Sequence, residues 1–428
     1  MRLLYICLGF LLAPVMLGVI LWKGVRNRGW WRHVGERFGL GAPVRAGGIW
    51  VHAVSVGEVQ SSASLVRALL QARPDLPVTV TTFTPAGRER ALALLGDTVA
   101  HRYAPFDLAG VVGLFFARTR PRLAVIVATE LWPTLFHGCG RRGIPLVLAS
   151  ARVSPRSIPR YRWLARLFRE TLSHGIVIGA QSEGDAARFR SIGANPARTH
   201  VLGNLKFDYV LPPDVPARAA SLREALGRAR PVWVAGSTHE GEEEIVLDAH
   251  RRVRERHPDA LLVLVPRKPQ RLDYVVALLR RRGHAFVTRT SGAPVTPAVE
   301  VLLVDTLGEL VLFYGAADVA FVGGSLVPVG GHNLLEPAAL GKPMLTGPHN
   351  FNAEGIADLF VEVGTAHVVI DAPSLAMLVT DYLGDAPRRE RDGRAGYAAQ
   401  EANRGTLARL VALIEPLLPD LSAPARRR

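Results

Sequence analysis

The chain opens on an uncharged apolar run of twenty residues, Leu3–Trp22 (LLYICLGFLLAPVMLGVILW), and then alternates short β-branched runs with amphipathic stretches. At ~1.5 Å per residue such a run spans the ~30 Å hydrocarbon core of a bilayer, which predicts a transmembrane helix. A cleaved signal peptide is the competing reading, but its apolar region is shorter and ends at a small-residue site. Here Trp22 and Lys23 follow. From Gly48 onward, short β-branched runs predict strands at Ile49–Val56, Val78–Phe83, Leu123–Thr129, Pro145–Ala151 and Gly175–Ala180. A second set falls at Val232–Ala235, Leu261–Val265, Val301–Val304, Val319–Val322 and Pro343–Leu345. Helical periodicity lies between them, including roughly Val59–Ala72, Gly87–Leu95 and Leu135–Arg142. Strand and helix alternating in this way predict doubly wound α/β domains.

The proline-rich break Leu211–Ala217 (LPPDVPA) is the best place to divide the chain. The expected organisation is an anchor over 1–22, a basic juxtamembrane segment over 23–47, a Rossmann-like domain over 48–210, a linker over 211–228, a second Rossmann-like domain over 229–420 and a disordered basic tail over 421–428. A last amphipathic helix carries Leu407, Leu410, Val411, Ile414 and Leu417. Two such sheets leave a cleft between them, and ligands of these folds gather at the C-terminal ends of strands.

Charge sharpens this picture. The net charge is +15 and nearly all the cations are Arg, with Lys only at 23, 206, 268 and 342. Such a balance points to anionic partners. Nucleic acid is not among them, because there is no zinc-finger spacing or aromatic-rich RNA-binding signature and the Arg residues are scattered. Two cysteines, Cys7 and Cys139, give neither a disulfide framework nor a Cys-based metal site. Lys23, Arg26, Arg28, Arg32 and Arg37 follow the apolar run while Arg2 alone precedes it, which places the body in the cytoplasm. With Trp30 and Trp31 among them, the segment WKGVRNRGWWRHVGERFG either lies on acidic lipid or is a plain juxtamembrane linker.

The stretch Gly323–Pro337 (GGSLVPVGGHNLLEP) is the densest candidate for chemistry. Two glycine pairs permit tight turns after a buried strand. Pro337 requires a helix to start between Asn333 and Glu336, with Asn-Leu-Leu-Glu spaced as a capping box. Free N–H groups there predict an anion site for phosphate, against the plainer reading of a capped helix after a loop. Two carboxylates follow strands of the first domain. Glu58 opens a helix, where it serves as favourable helix-terminal charge or as a general base. Glu130 leaves so apolar a strand that it needs a partner, and Lys206 in GNLKFD is the candidate, in an ordinary salt bridge or in a site. In the second domain Gly236–Glu240 is another anion-ready turn. Arg267, the backbone of Leu307–Glu309 and Asn333–Glu336 also follow strands and suit one nucleotide, with Glu336 on its ribose. No GxxxxGK[ST] loop, GxGxxG fingerprint or Asp-x-Asp pair occurs, so no metal is expected.

Taken together, RHVGERFG (32–39), HAVSVGE (52–58), TTFTPAGRER (81–90), TELWP (129–133), ASARVS (149–154), GNLKFD (203–208), STHEGEE (237–243), VPRKP (265–269), DTLGEL (305–310) and FVGGSLVPVGGHNLLEP (321–337) resemble the 3-deoxy-D-manno-octulosonic acid (Kdo) transferases of lipid A assembly. The resemblance runs from the anchor to the last helix. It implies a GT-B glycosyltransferase whose first domain takes the acceptor and whose second takes CMP-Kdo, at the cytoplasmic face of the inner membrane. It also implies inverting transfer to a lipid A precursor, lipid IVA, without metal or other cofactor. By this similarity Glu58 is the proton acceptor and Glu130 and Lys206 stabilise the transition state. Pro266, Arg267, Leu307, Gly308, Glu309, Asn333, Leu334, Leu335 and Glu336 contact CMP. A GT-B protein that uses a UDP-sugar, and an anchored nucleotide-binding scaffold without activity, are the competing readings.

Overall fold

A parallel strand covered by helices on both faces must be apolar throughout, and the runs above assemble into two sheets of that kind. The computed structural model describes residues 2–418 apart from 129 and 164. The chain divides into two units, Met1–Asp208 with Arg404–Arg428, and Tyr209–Asn403. In the first unit the strands are β1 Ile49–His52, β2 Val78–Thr82, β3 Ala100–Tyr103, β4 Leu123–Val127, β5 Leu146–Ala151, β6 Val177–Ala180 and β7 Thr199–Val201. Their order is β3-β2-β1-β4-β5-β6-β7, and Ile49 pairs in parallel with Val78 on one side and Leu123 on the other. Alternate residues of β1 face opposite cores, as the pleat requires. Ile49 and Val51 pack with Val59, Leu65 and Val66, whereas Trp50 packs with Phe115, Phe116 and Phe136.

The second unit repeats the plan with β8 Val232–Thr238, β9 Leu261–Pro266, β10 Phe286–Thr288, β11 Val301–Leu303, β12 Val319–Val322, β13 Met344–Thr346 and β14 Ala366–Val368. Its order is β10-β11-β9-β8-β12-β13-β14, again parallel. Every expected strand is present, although Thr129 lies outside the described residues. The four strands that hydropathy did not predict, β3, β7, β10 and β14, are the edges of the two sheets. An edge strand has one neighbour and is short and polar, as AHRY and THV show.

Three boundaries differ from the expected ones. Residues 211–228 are not a linker. They contain the helix Val215–Leu226, with proline in its first turn, which buries Val215, Ala219 and Leu226. Gly315 of the helix Leu310–Ala316 lies so close that a Cβ there would sit 2.6 Å from the Ala219 methyl. The prolines that read as a break start a helix. The last helix, Thr406–Ile414, does not belong to a domain ending at 420. Its Leu410 and Ile414 are fully buried in the first unit's core beside Val59 and Val66. Asp208 caps it from the far side of the second unit's sequence, accepting from Gly405 N–H at 2.6 Å and Leu407 N–H at 2.5 Å. Asp208→Ala is expected to cost roughly 0.5–2 kcal/mol, seen as faster amide exchange across Thr406–Ile414. Unchanged exchange there would mean that Leu410 and Ile414 alone hold the helix. The tail 421–428 lies outside the described residues.

The N-terminal helix runs Arg2–Arg26, longer than the expected anchor, and is long and apolar enough to cross a membrane. One face meets the first unit through Ala13, Met16 and Ile20 beside Phe106 and Leu108, and Tyr5 donates to Asp107 at 2.8 Å. Leu4, Leu8, Leu11 and Val15 are exposed. The 23–47 segment is not a free linker. Lys23, Arg26, Arg28 and Arg32 are exposed, but Arg37 is fully buried among the rings of Trp30, Phe83 and Tyr103 and cannot reach lipid. Its neighbour Glu36 is buried too, 3.3 Å from Arg88.

Candidate active site

In a doubly wound sheet the strand order reverses at one point, and loops leaving the strands there splay apart to make a crevice. In the first unit that point lies between β1 and β4. Glu58 follows β1 and Glu130 follows β4. Ala128, with φ of +65°, turns the chain out of β4 in a conformation that disfavours a Cβ. Glu58 occupies the third position of the helix Val56–Ala72, and its carboxylate accepts from Ser55 N–H at 2.7 Å and Ser55 hydroxyl at 3.0 Å. The helix-terminal role is therefore real, and the same carboxylate is half-buried. Burial raises its pKa, while Ser55 and the nearby Lys206 ammonium pull it back down. Glu130 accepts from the Trp132 indole N–H at 2.5 Å. Burial, with Glu58 adding to it, pushes the Glu130 carboxyl up to about 7 against the pull of that hydrogen bond.

Lys206 sits on the turn Leu205–Asp208 after β7. That turn is tied to the sheet by Leu205 N–H donating to the Ser150 hydroxyl at 3.2 Å, at the end of β5, and by Asp208 on the returning helix. Burial lowers the Lys206 pKa, Arg152 lowers it further, and Glu58 opposes both. Of the three residues singled out in the first domain, Glu58 thus acts on each of the other two. Because the Glu130 pKa is raised on folding, its stabilising contribution is full below the ordinary carboxylate range and is lost as pH rises through about 7. A Glu130→Gln protein is accordingly expected to lose less stability between pH 5 and pH 8 than the parent. Denaturation midpoints across that range check it, and parallel curves would mean an ordinary carboxyl.

The second unit reverses between β8 and β12, and the glycine loop leaves β12 at that point. The anion in the loop belongs to the protein. Glu242, fully buried at the start of the helix Glu242–Arg256, accepts from Gly324 N–H at 2.7 Å, Ser325 N–H at 3.0 Å, Leu326 N–H at 2.9 Å and His239 N–H at 2.9 Å. These loop amides are therefore taken by the chain's own carboxylate, whereas the anion site expected from the sequence lies at the helix start over Asn333–Glu336. Three glutamates open that helix, and nothing in the sequence marks that Glu242 and Glu243 turn inward, Glu242 to the loop amides and Glu243 to Arg271 at 3.0 Å. His239 and His332, also unforeseen, stack at 5.1 Å between centroids with Nε2 atoms 2.8 Å apart. Burial, then His239 and Arg267, push His332 down to about 4. Gly324 has φ of +70°, and a Cβ there would lie 2.8 Å from the His332 ring.

The helix after the loop is Leu335–Ala339, inside the expected window but only five residues long, so its dipole is small. Asn333 accepts from Leu335 N–H at 3.2 Å and donates to Glu336 at 3.1 Å, a side-chain pair rather than a reciprocal capping box. Leu334 and Leu335 are buried, leaving their backbone as the available chemistry. Burial raises the Glu336 pKa, countered by Asn333 and then by Arg267. Pro266 is buried at the end of β9; Arg267 is exposed and anchored by its N–H to Thr238 carbonyl at 2.9 Å. Leu307 is exposed and Gly308 has φ of +87°. The Glu309 carboxylate pairs with Arg289 at 3.1 Å, which holds it below the usual carboxylate range, so this stretch offers backbone groups. Among the described residues no group of three or more His, Cys, Asp or Glu side chains is placed to hold a metal ion.

Residues 32–209 match the family model described as 3-deoxy-D-manno-octulosonic-acid transferase (kdotransferase). Over 421 residues, 97% of this chain and 99% of the relative, the sequence is 39% identical to the 3-deoxy-D-manno-octulosonic acid transferase of Haemophilus influenzae. It is 36% identical to that of Bordetella pertussis, covering 95% of this chain and 97% of the relative. Among solved structures, UDP-GlcNAc 2-epimerase from Neisseria meningitidis superposes with a TM-score of 0.57 at 13% identity, covering 86% of this chain and all of that one. Anabaena Alr3699/HepE in complex with UDP gives 0.56 at 15%, covering 86% and 99%. Both are likenesses of fold, the two-sheet GT-B arrangement.

Proposed function

The chain belongs to the 3-deoxy-D-manno-octulosonic acid transferases, and we propose that it moves Kdo from CMP-Kdo to lipid IVA in lipopolysaccharide synthesis, with inversion and without a metal ion. Beyond the family match, one observation carries the reading. Glu58 acts electrostatically on both Glu130 and Lys206, residues spread over about a third of the sequence, around the ends of one sheet's strands. A sugar hydroxyl is a poor nucleophile, and a carboxylate made more basic by burial suits the removal of its proton. In the proposed step the acceptor oxygen bonds to the anomeric carbon, its proton passes to Glu58, and the bond from that carbon to the CMP phosphate breaks. Lys206 and Glu130 stabilise the charge that develops.

CMP departs as an anion. Because Glu242 holds the amides of 324–326, its phosphate falls to Arg267 and to the backbone at 307–309 and 333–336, with Glu336 on the ribose. The body stands on the cytoplasmic side of the inner membrane, held by a single pass of the Arg2–Arg26 helix, whose C-terminal end carries the exposed Lys23 and Arg26. Crossing the bilayer requires Tyr5 to release Asp107, whose carboxylate retains the Thr134 and Leu135 amides, and Ala13 and Met16 to leave Phe106 and Leu108.

The test is incubation of the purified chain with CMP-Kdo and a tetraacylated lipid A precursor, reading product masses. A product heavier by whole Kdo residues is expected. Tighter binding of UDP than of CMP, with no product, would overturn the donor assignment.

A further inference from the structure

We propose that Trp132 is a positioning residue for Glu130, its indole N–H holding the carboxylate in one orientation during transfer. The inference rests on the reading above that Glu130 takes part in the reaction. An indole is a donor and never an acceptor, so its 2.5 Å hydrogen bond must end on a lone pair of Glu130 Oε2, and it is strongest when that carboxyl is ionised. The ring is fixed on two sides. It meets His52 edge-on at 5.5 Å between centroids and Phe83 edge-on at 6.2 Å. His52 is buried and bonded through Nδ1 to the Thr81 hydroxyl at 2.8 Å. Phe83 is held in turn, with its N–H on the Val54 carbonyl at 2.9 Å and its own carbonyl accepting from Arg37 at 2.8 Å. The indole therefore has little freedom to swing away.

Its place in the chain is also informative. Trp132 is the N-cap of the helix Pro133–Arg141, where Ser, Thr, Asp or Asn would ordinarily satisfy the first amides. That duty passes to Asp107, which accepts from Thr134 N–H at 3.0 Å and Leu135 N–H at 2.7 Å. With the helix capped from elsewhere, the side chain at 132 is left to serve the carboxylate two residues before it. The other charges acting on Glu130 and its neighbour Glu58 are each other and Lys206.

Two donor-deleting replacements test this in the full-length enzyme: Trp132→Phe, and benzothienylalanine at 132, which keeps the bicyclic shape and lacks the N–H. 7-Azatryptophan, which keeps it, is the rescue. Each is measured alone and with Glu130→Gln, following kcat, KM and the pH profile with CMP-Kdo and the lipid precursor. Losing a hydrogen bond to a charged group is expected to lower kcat by roughly 10-fold with KM within about 2-fold, and to move the Glu130 limb of the profile upward by about 1 pH unit. In the Glu130→Gln background the same replacements should change kcat by less than about 2-fold. Equal losses in both backgrounds, or an unmoved pH limb, would overturn the proposal. A slow Glu130→Gln enzyme beside wild-type rates for both replacements overturns the role of Trp132 alone. A fast Glu130→Gln enzyme overturns the reading of Glu130 and this inference with it.

Discussion

Glu58→Gln is expected to lower kcat by roughly 10²–10⁴-fold while leaving the fold intact, the range over which a positioned base accelerates proton transfer. The variant is chosen because Glu58 has two duties. Its carboxylate accepts from Ser55 N–H and hydroxyl at the start of the helix Val56–Ala72, and a glutamine carbonyl can accept those bonds but cannot take a proton from a sugar. Alanine removes both and is expected to cost an additional ~1 kcal/mol of stability through the lost cap. Comparing melting temperature with turnover for the two variants separates the duties. Wild-type transfer by Glu58→Gln would leave Glu58 as a capping residue only and would move the base elsewhere in the first unit. The Lys206 ammonium provides a further check. It favours the ionised Glu58, so Lys206→Met is expected to move the acid limb of kcat upward.

The second large effect is on stability. Glu242→Ala is expected to destabilise the second unit by about 4 kcal/mol or more, since it strands four backbone donors, three of them buried. Those donors are the amides of His239, Gly324, Ser325 and Leu326, which join the end of β8 to the loop leaving β12. Denaturant unfolding gives the magnitude, and hydrogen exchange at 324–326 gives the place. Unchanged protection of those amides would mean that something other than this carboxylate organises the loop. Glu242→Gln keeps one acceptor oxygen but aims N–H groups at N–H groups, so it should fall between alanine and the parent. Nucleotide binding should weaken with the loop, although Glu242 faces the amides and not the ligand.

How much of this was legible beforehand follows from burial. The central strands were readable because both faces are covered and few of their residues are polar, as in Leu261–Pro266, although Thr79, Thr81 and Thr82 interrupt β2. The edges β3, β7, β10 and β14 were not, because one neighbour and partial solvent contact admit His, Arg and Thr. The proposed site residues were readable for a related reason. A carboxylate soon after an apolar strand is conspicuous, as with Glu58 and Glu130, and Lys206 stood out as one of four Lys in a chain that otherwise uses Arg. Glu242, His239 and His332 were not, since a helix beginning with three glutamates looks solvent-exposed until two of them are found inside.

The two-sheet α/β plan, the apolar N-terminal helix and the membership of a Kdo transferase family could be read from the residues alone, because they rest on local hydropathy and on motifs contiguous in the chain. Folding in three dimensions was needed to show that the final helix returns to the first sheet under the cap of Asp208, that residues 215–226 form a packed helix, and that Glu242 fills the glycine loop. Those outcomes depend on which distant surface satisfies an amide or covers an apolar stripe, and periodicity specifies that a stripe must be buried without saying against what.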